Sequence, residues 1–254
     1  MVFARKRFGQ NFLQDSRIIN QIVDFLQAKP QDTVIEIGPG RGALTTVLLS
    51  QLQQLTVIEI DRDLFAQLKN LPNSHKLTGI NEDVLKVNFE ELGTHLRIIG
   101  NLPYNISTPL MFHLLKYRHQ IDDMVFMLQS EVVDKIIAQP ASSDYGRLSV
   151  MFQYFCEVER LLDVPPECFN PVPKVMSAVI SLKPKHQKES VNFEILEQVV
   201  AKAFAMRRKT LANNFKGVFS QKDWELLGLS SQMRAQDLSI EDFVKIAEYF
   251  SKIV

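Results

Sequence analysis

The stretch Thr33-Val-Ile-Glu36-Ile-Gly38-Pro-Gly40-Arg-Gly42-Ala-Leu44 decides the fold of this chain. Thr33 to Ile37 is a short apolar run with strand character, three alternating glycines follow at once, and Ala43 to Leu52 carries helix formers. A strand, a glycine-rich turn and a helix in that order open a βαβ unit. Glycines let such a turn bend sharply and let the backbone approach a ligand closely.

The rhythm continues on both sides of this turn. Upstream, residues 15–27 predict an amphipathic helix with Ile18, Ile19, Ile22, Val23 and Leu26 on one side. Downstream, Leu55 to Ile60 reads as a strand, Asp63 to Leu71 as a helix and His75 to Ile80 as extended. Leu96 to Ile99 is a further buried strand, Ser107 to His119 a helix, Met124 to Leu128 a strand and Ser130 to Ala138 a helix. The alternation implies a mostly parallel, doubly wound sheet. Val150 to Val164 is rich in aromatic and β-branched residues, and Ser177 to Leu182 follows as a second strand, so the sheet is expected to end in an antiparallel pair.

Lys183 to Ser190 is polar, contains Pro184 and reads as a linker. Beyond it Leu196, Val199, Val200, Ala203 and Phe204 form a helical stripe, and Ser220 with Asp223 and Ser239 with Asp242 have capping-box spacing. The expected organisation is an α/β domain at 1–183 and a small all-helical domain at 184–254.

Composition narrows the function. Of 254 residues 46% are hydrophobic, enough for a full core, yet no apolar run approaches the ~18–20 residues of a membrane span. Met1 to Phe12 is basic and lacks the apolar segment of a secretion signal. The two cysteines, Cys156 and Cys168, stand in no metal or disulfide pattern, and the five histidines show no ligand spacing. The expectation is a cytoplasmic protein with no metal and no membrane partner. A net charge of +0 lacks the footprint of a dedicated nucleic-acid binder. Charge is still gathered locally in Arg5-Lys6-Arg7, in Arg207-Arg208-Lys209 and, more loosely, in Lys183, Lys185 and Lys188.

Glu59 ends the strand after the glycine-rich turn, with Asp61 two residues on. A carboxylate there can accept hydrogen bonds from both hydroxyls of a ribose, which points to a nucleoside-bearing cofactor. A dinucleotide remains open on these residues, although GPGRGAL departs from GxGxxG. The acid Glu36 before the turn suits a cofactor that is cationic at sulfur and carries a free amine. Asn101-Leu102-Pro103-Tyr104 then follows the strand Leu96 to Ile99. An aromatic amine is a poor nucleophile because its lone pair is delocalised into the ring. Asn101 Oδ1 and a nearby backbone carbonyl can accept its two N–H bonds and turn the lone pair toward a methyl donor. Pro103 stiffens the loop and Tyr104 can stack on the base, a contact worth roughly 1–3 kcal/mol. Such a site works by orientation and hydrogen-bond preorganisation.

These motifs, with Phe8-Gly-Gln-Asn11-Phe-Leu13, Asp83-Val-Leu85 and Phe169-Asn-Pro-Val-Pro-Lys-Val-Met-Ser-Ala-Val179, resemble the ribosomal RNA adenine dimethyltransferase family over essentially the whole chain. Within it the chain looks like the bacterial small-subunit enzymes. The resemblance implies a Rossmann-like class I methyltransferase fold that uses S-adenosylmethionine. It implies that Asn11, Leu13, Gly38, Gly40, Glu59, Asp83 and Asn101 hold the cofactor: Glu59 the ribose and Asp83 the adenine amine. It implies that Phe169 forms the second face of a base sandwich with Tyr104. It also places rRNA on the helical domain, so Arg207, Arg208 and Lys209, with Arg5 and Lys6, become phosphate candidates, the triplet at 207–209 lying on that domain's first helix.

The implied reaction is dimethylation of the 6-amino groups of two adjacent adenosines near the 3′ end of 16S rRNA, within the small ribosomal subunit, by a monomer that also serves subunit biogenesis. Three alternatives stay open. One is a resistance-type enzyme acting on a 23S rRNA adenine, and such enzymes tend to be more basic. Another is an amine methyltransferase for DNA adenine or protein glutamine, which usually carries a second proline where Leu102 stands. The third is a mainly non-enzymatic assembly checkpoint.

Overall fold

The computed structural model describes residues 11–185 and 190–253. In chain order the elements are β1 (Phe12–Leu13), α1 (Ser16–Leu26), β2 (Thr33–Ile37), α2 (Ala43–Gln51), β3 (Leu55–Ile58), α3 (Arg62–Leu68), β4 (Leu77–Ile80), β5 (Leu96–Asn101), α4 (Ser107–Lys116) and β6 (Ile121–Gln129). They continue with α5 (Ser130–Ile137), α6 (Arg147–Phe155), β7 (Cys156–Val164), β8 (Phe169–Asn170), β9 (Ser177–Pro184), α7 (Phe193–Ala203), α8 (Leu211–Asn214), α9 (Gln221–Leu227) and α10 (Ile240–Ile253).

Seven strands form one sheet in the order β4-β3-β2-β5-β6-β9-β7. The pairs from β4 through β6 are parallel. β9 joins β6 antiparallel, Gln129 opposite Ser177 and Met124 opposite Leu182. The fold is therefore α/β, with a mostly parallel sheet and an antiparallel addition. Because β3 lies on one side of β2 and β5 on the other, the order reverses between β2 and β5. In open α/β sheets ligands bind outside the carboxyl ends of the strands at such a reversal.

Alternation across the strands builds the core. Val34, Val57, Ile99, Val125 and Val179 pack with Ile22, Val23 and Leu26 of α1 and with Leu44, Leu48 and Leu49 of α2. Asp15 caps α1 by accepting the N–H groups of Arg17 and Ile18. At the amino-terminal edge of the sheet Arg97 bridges Asp32, at 2.8 Å, and Asp123. That edge is ion-paired, whereas the carboxyl edge is open.

Contacts divide the chain into two compact units, one of residues 1–133 and 157–184, the other of 134–156 and 185–254. The second therefore takes in more than residues 184–254, because α6 and the second half of α5 group with the C-terminal helices. Phe155 lies against Phe193 at 5.6 Å between ring centroids, and Tyr145 against Phe204 at 6.2 Å. Trp224 is buried against Phe215 and Phe219 in the core of the helical part.

Several local expectations change. The stretch 150–164 is helix as far as Phe155 and strand only from Cys156. Six of the nine residues of α6 are buried, so burial on nearly all sides hid its helical period. β3 stops at Ile58, because Asp61 turns the chain by capping α3 through the N–H groups of Asp63 and Leu64. Arg207-Arg208-Lys209 lies in turns after α7 rather than on it. Both capping boxes form: Ser220 with Asp223, and Ser239 with Asp242.

Candidate active site

The glycine-rich turn leaves the end of β2 and starts α2 at the reversal of strand order. Beside it the carboxyl ends of β3 and β5 deliver Glu59 and Asn101. Together with the segment 11–14 and Glu82–Val84 they enclose a cleft of about 460 Å³, within the ~300–1,000 Å³ typical of a small-molecule site. Asn11, Leu13, Gly38, Gly40, Glu59, Asp83, Asn101, Pro103 and Tyr104 all line it.

Glu59 holds the turn in place. Its Oε2 accepts the N–H of Gly40 at 3.1 Å and its Oε1 the N–H of Asp61 at 2.8 Å. Each oxygen has engaged one lone pair, so acceptor capacity remains for a diol. Burial pushes the Glu59 carboxyl above its ordinary value, against the pull of these backbone N–H groups. Gly40 sits at φ +56, and a Cβ there would lie 3.3 Å from the Phe12 ring. The turn is thus shaped for glycine and closed by Phe12, over whose ring the Arg41 guanidinium sits at 4.3 Å.

Glu36 lies behind the turn, 1% exposed, accepting from Thr45 Oγ1 at 2.7 Å. Burial, with a smaller contribution from the Glu59 charge, raises its carboxyl to about 8. Asp83 accepts the N–H of Leu85 at 3.1 Å through Oδ1, which orients its side chain at the rim.

The second turn faces the first. A carbon at the β position of Gly38 would lie 3.8 Å from both the Asn101 carbonyl oxygen and Pro103 Cδ. Asn101 Nδ2 donates to the Asn11 carbonyl at 3.1 Å. Only the amide nitrogen can face a carbonyl, so Oδ1 is the group's remaining acceptor. Tyr104 is partly buried, which raises its phenol above the ordinary value, and its oxygen is 2.7 Å from Ser177 Oγ. Phe169 does not line this cleft; it is 2% exposed within the core, and its strand β8 pairs it with Leu13, which does line it. Arg207, Arg208 and Lys209 are exposed on the other unit. Arg5 and Lys6 lie outside the described residues.

Residues 1–252 match the family model for ribosomal RNA adenine dimethylase. The chain belongs to the ribosomal RNA adenine dimethylase family. It is 55% identical over 250 residues to the ribosomal RNA small subunit methyltransferase A of Legionella pneumophila strain Philadelphia 1, covering 97% of this chain and 98% of that one. Against the protein of the same name from Dechloromonas aromatica the figures are 49% over 250 residues, with 98% of each covered. Among solved structures, a dimethyladenosine transferase from Plasmodium falciparum superposes with a TM-score of 0.83 at 28% identity, over 95% of this chain and 98% of that one. The 23S rRNA methyltransferase ErmE gives 0.72 at 25% identity, over 95% of this chain and all of that one.

As an rRNA adenine dimethyltransferase the chain needs a methyl donor, and the donor set fits a charged nucleoside: acids at Glu36, Glu59 and Asp83 around a glycine-shaped floor. Among the described residues no group of side chains could hold a metal ion, and no helix is long and apolar enough to cross a membrane. Sequence reasoning passed over Ile60, 45% exposed on the cleft wall beside Glu59, an apolar surface for a purine. Its signal was an aliphatic residue at a strand end where turns favour polar ones. Phe12 and Arg41 were also missed, since their pairing crosses from the N-terminal segment to the turn.

Proposed function

We propose that this enzyme uses S-adenosylmethionine to dimethylate the 6-amino groups of two adjacent adenosines near the 3′ end of 16S rRNA, acting as a cytoplasmic monomer on the small ribosomal subunit during its biogenesis. The observation that carries the reading is Asn101, shared by the cofactor cleft and the Asn101–Tyr104 turn, with its amide oxygen left as an acceptor. The relatives named for the small-subunit reaction, at 49–55% identity over nearly full length, support the choice of subunit.

The cofactor, when bound, supplies a methyl carbon made electrophilic by a positively charged sulfur. Glu59 would accept from the ribose hydroxyls and Asp83 from the adenine amine, while Glu36 would give up its proton on binding and face the cationic end. Asn11, Leu13, Gly38 and Gly40 shape the enclosing walls. The target adenine leaves its stack, as nucleobase-modifying enzymes require. Asn101 Oδ1 and a nearby backbone carbonyl accept the amine's two N–H bonds, which draws the nitrogen toward tetrahedral geometry. Pro103 stiffens this turn and Tyr104 stacks on the base, with Phe169 as its second face. Methyl transfer to the nitrogen held by Asn101 would leave the cofactor as the neutral thioether and make the alkylated nitrogen strongly acidic, so that its proton would pass to water. No general base is required. Arg207, Arg208 and Lys209, with Arg5 and Lys6, engage phosphate.

The test is labelled S-adenosylmethionine incubated with unmethylated small subunits and, separately, large subunits. Label on two neighbouring 16S adenosines supports the proposal. Label on a 23S adenine instead, or none on either, rejects it. Asn101→Ala, if it still binds subunits without methylating them, separates catalysis from a checkpoint role.

A further inference from the structure

Tyr104 is held at both ends. Its carbonyl accepts from Ser107 Oγ at 3.0 Å, and its phenol oxygen meets Ser177 Oγ at 2.7 Å. Ser107 begins α4, whereas Ser177 begins β9, far away in sequence. Both serines are essentially inaccessible, at 1% and 0% exposure. Ser177 does not line the cleft, and the reaction as described gives it no part.

The position of the Ser177 hydroxyl is fixed by the sheet. Ser177 stands opposite Gln129 and the next residue, Ala178, opposite Leu128 in the β6–β9 ladder. Just before it, the Met176 carbonyl accepts the Ser130 N–H at 3.0 Å. Tyr104, by contrast, stands on a short turn, where its ring can pivot about the side-chain torsions even when the main chain is fixed. The phenol oxygen is the side-chain atom farthest from Cα, so a hydrogen bond there fixes the direction in which the ring points and stops it swinging about the Cα–Cβ bond.

We propose that Ser177 is a positioning residue for methyl transfer, fixing where the Tyr104 ring, against which the target adenine lies, is held. This rests on Tyr104 being the stacking face of the site. The proposal follows from what the reaction demands: a nitrogen nucleophile in line with a methyl carbon tolerates little misplacement. A stacking ring free to swing lets the base move with it.

The experiment compares Ser177→Ala, Tyr104→Phe, the double variant and Tyr104→Ala, in single-turnover methylation of unmethylated small subunits at saturating S-adenosylmethionine. Tyr104→Phe keeps the stacking surface and removes only the hydroxyl. Each single variant should slow transfer by roughly 2- to 10-fold, the range of one missing hydrogen bond. The double variant should be no slower than the slower single one, because both remove the same hydrogen bond. Subunit KM and cofactor affinity should stay unchanged. Multiplying effects in the double variant, or Ser177→Ala at the wild-type rate, overturn the proposal. If Ser177→Ala does not fold, Tyr104→Phe at full rate overturns it equally. Tyr104→Ala at full rate has a different meaning: it removes the stacking reading itself.

Discussion

Glu59 Oε2 accepts the backbone N–H of Gly40 at 3.1 Å, which ties the end of β3 to the glycine-rich turn. The same carboxylate is proposed to bind the cofactor's ribose, so one side chain both shapes the cleft and fills part of its recognition. Glu59→Ala removes charge-assisted hydrogen bonds worth about 1.5–3 kcal/mol each, and cofactor affinity should fall about 10- to 100-fold or more. Gln is no substitute: its amide nitrogen would face a backbone N–H of Gly40 or Asp61, donor against donor. Titration calorimetry with S-adenosylmethionine should find both variants weak. Full affinity in Glu59→Gln would show that the ligand does not depend on this carboxylate.

The buried Glu36 predicts a pH dependence. Burial raises its carboxyl from an ordinary 4.5 to about 8 in the folded chain. Between those values the unfolded chain has released the proton and the folded chain still holds it. The folded state then binds more protons, so stability falls as pH rises. The contribution is fully present below about pH 4.5 and lost as pH climbs through about 8. Glu36→Gln should abolish this part of the slope, seen as a wild-type-minus-variant difference in urea unfolding from pH 5 to 9. A cationic ligand favours the ionised acid, so its binding near pH 7 should release a proton in wild type and not in the variant. Parallel pH profiles for the two proteins would contradict the assignment.

A tighter steric constraint sits at Gly100, on the strand that delivers Asn101. A Cβ there would lie 2.5 Å from the Ile37 carbonyl oxygen, a backbone atom that cannot turn aside. Gly100→Ala must push β5 away from β2, at a cost of about 1–3 kcal/mol or more. It should also separate the two turns of the cleft. The expected result is a lower urea midpoint together with weaker cofactor binding. A variant with wild-type stability would mean that the strands part at no cost.

In the helical unit the three basic residues at 207–209 are not equivalent. The Arg207 guanidinium donates to the Ser143 carbonyl, so part of its donor set is already engaged within the unit. Arg208 and Lys209, both exposed, should therefore carry most of the phosphate binding. Changing these two to Ala should weaken subunit binding and lower the salt slope by up to ~0.7–0.9 for each phosphate no longer neutralised, leaving cofactor affinity alone. An unaltered salt dependence would return them to ordinary surface.

The cleft could be read from sequence because each of its motifs is local. Gly38 to Gly42, Glu59 and Asn101 to Tyr104 all sit at strand ends, and a parallel sheet aligns strand ends by construction. What could not be read depends on distant pairing. Nothing near Phe12 announces Arg41, and nothing near Tyr104 announces Ser177, because those partners meet only when β1 and β9 take their places. The helix at Arg147–Phe155 was hidden for another reason. With Leu148, Val150, Met151, Phe152 and Phe155 all buried, its apolar residues spread around most of the helix and leave only a weak period to read.

Phe169 is where the resemblance and the geometry part, and an apolar change milder than Ala separates its two possible roles. The ring is 2% exposed in the core, and its residue pairs with Leu13 of the cleft wall. Phe169→Ala would open a cavity at a cost of about 3–5 kcal/mol, so its loss of activity would say nothing about stacking. Phe169→Leu keeps an apolar side chain in the core and costs less than Ala does, while it removes the π face. As the second face of the sandwich, Phe169 is worth roughly 1–3 kcal/mol of stacking. Methyl transfer in Phe169→Leu should then slow about 5- to 150-fold, with cofactor affinity nearly that of wild type and a melting temperature above that of Phe169→Ala. Single-turnover methylation, titration with S-adenosylmethionine and a thermal melt on the same preparation report the three quantities. Transfer at the wild-type rate in a stable Phe169→Leu protein would assign this ring wholly to the core and leave Tyr104 as the only proposed stacking face.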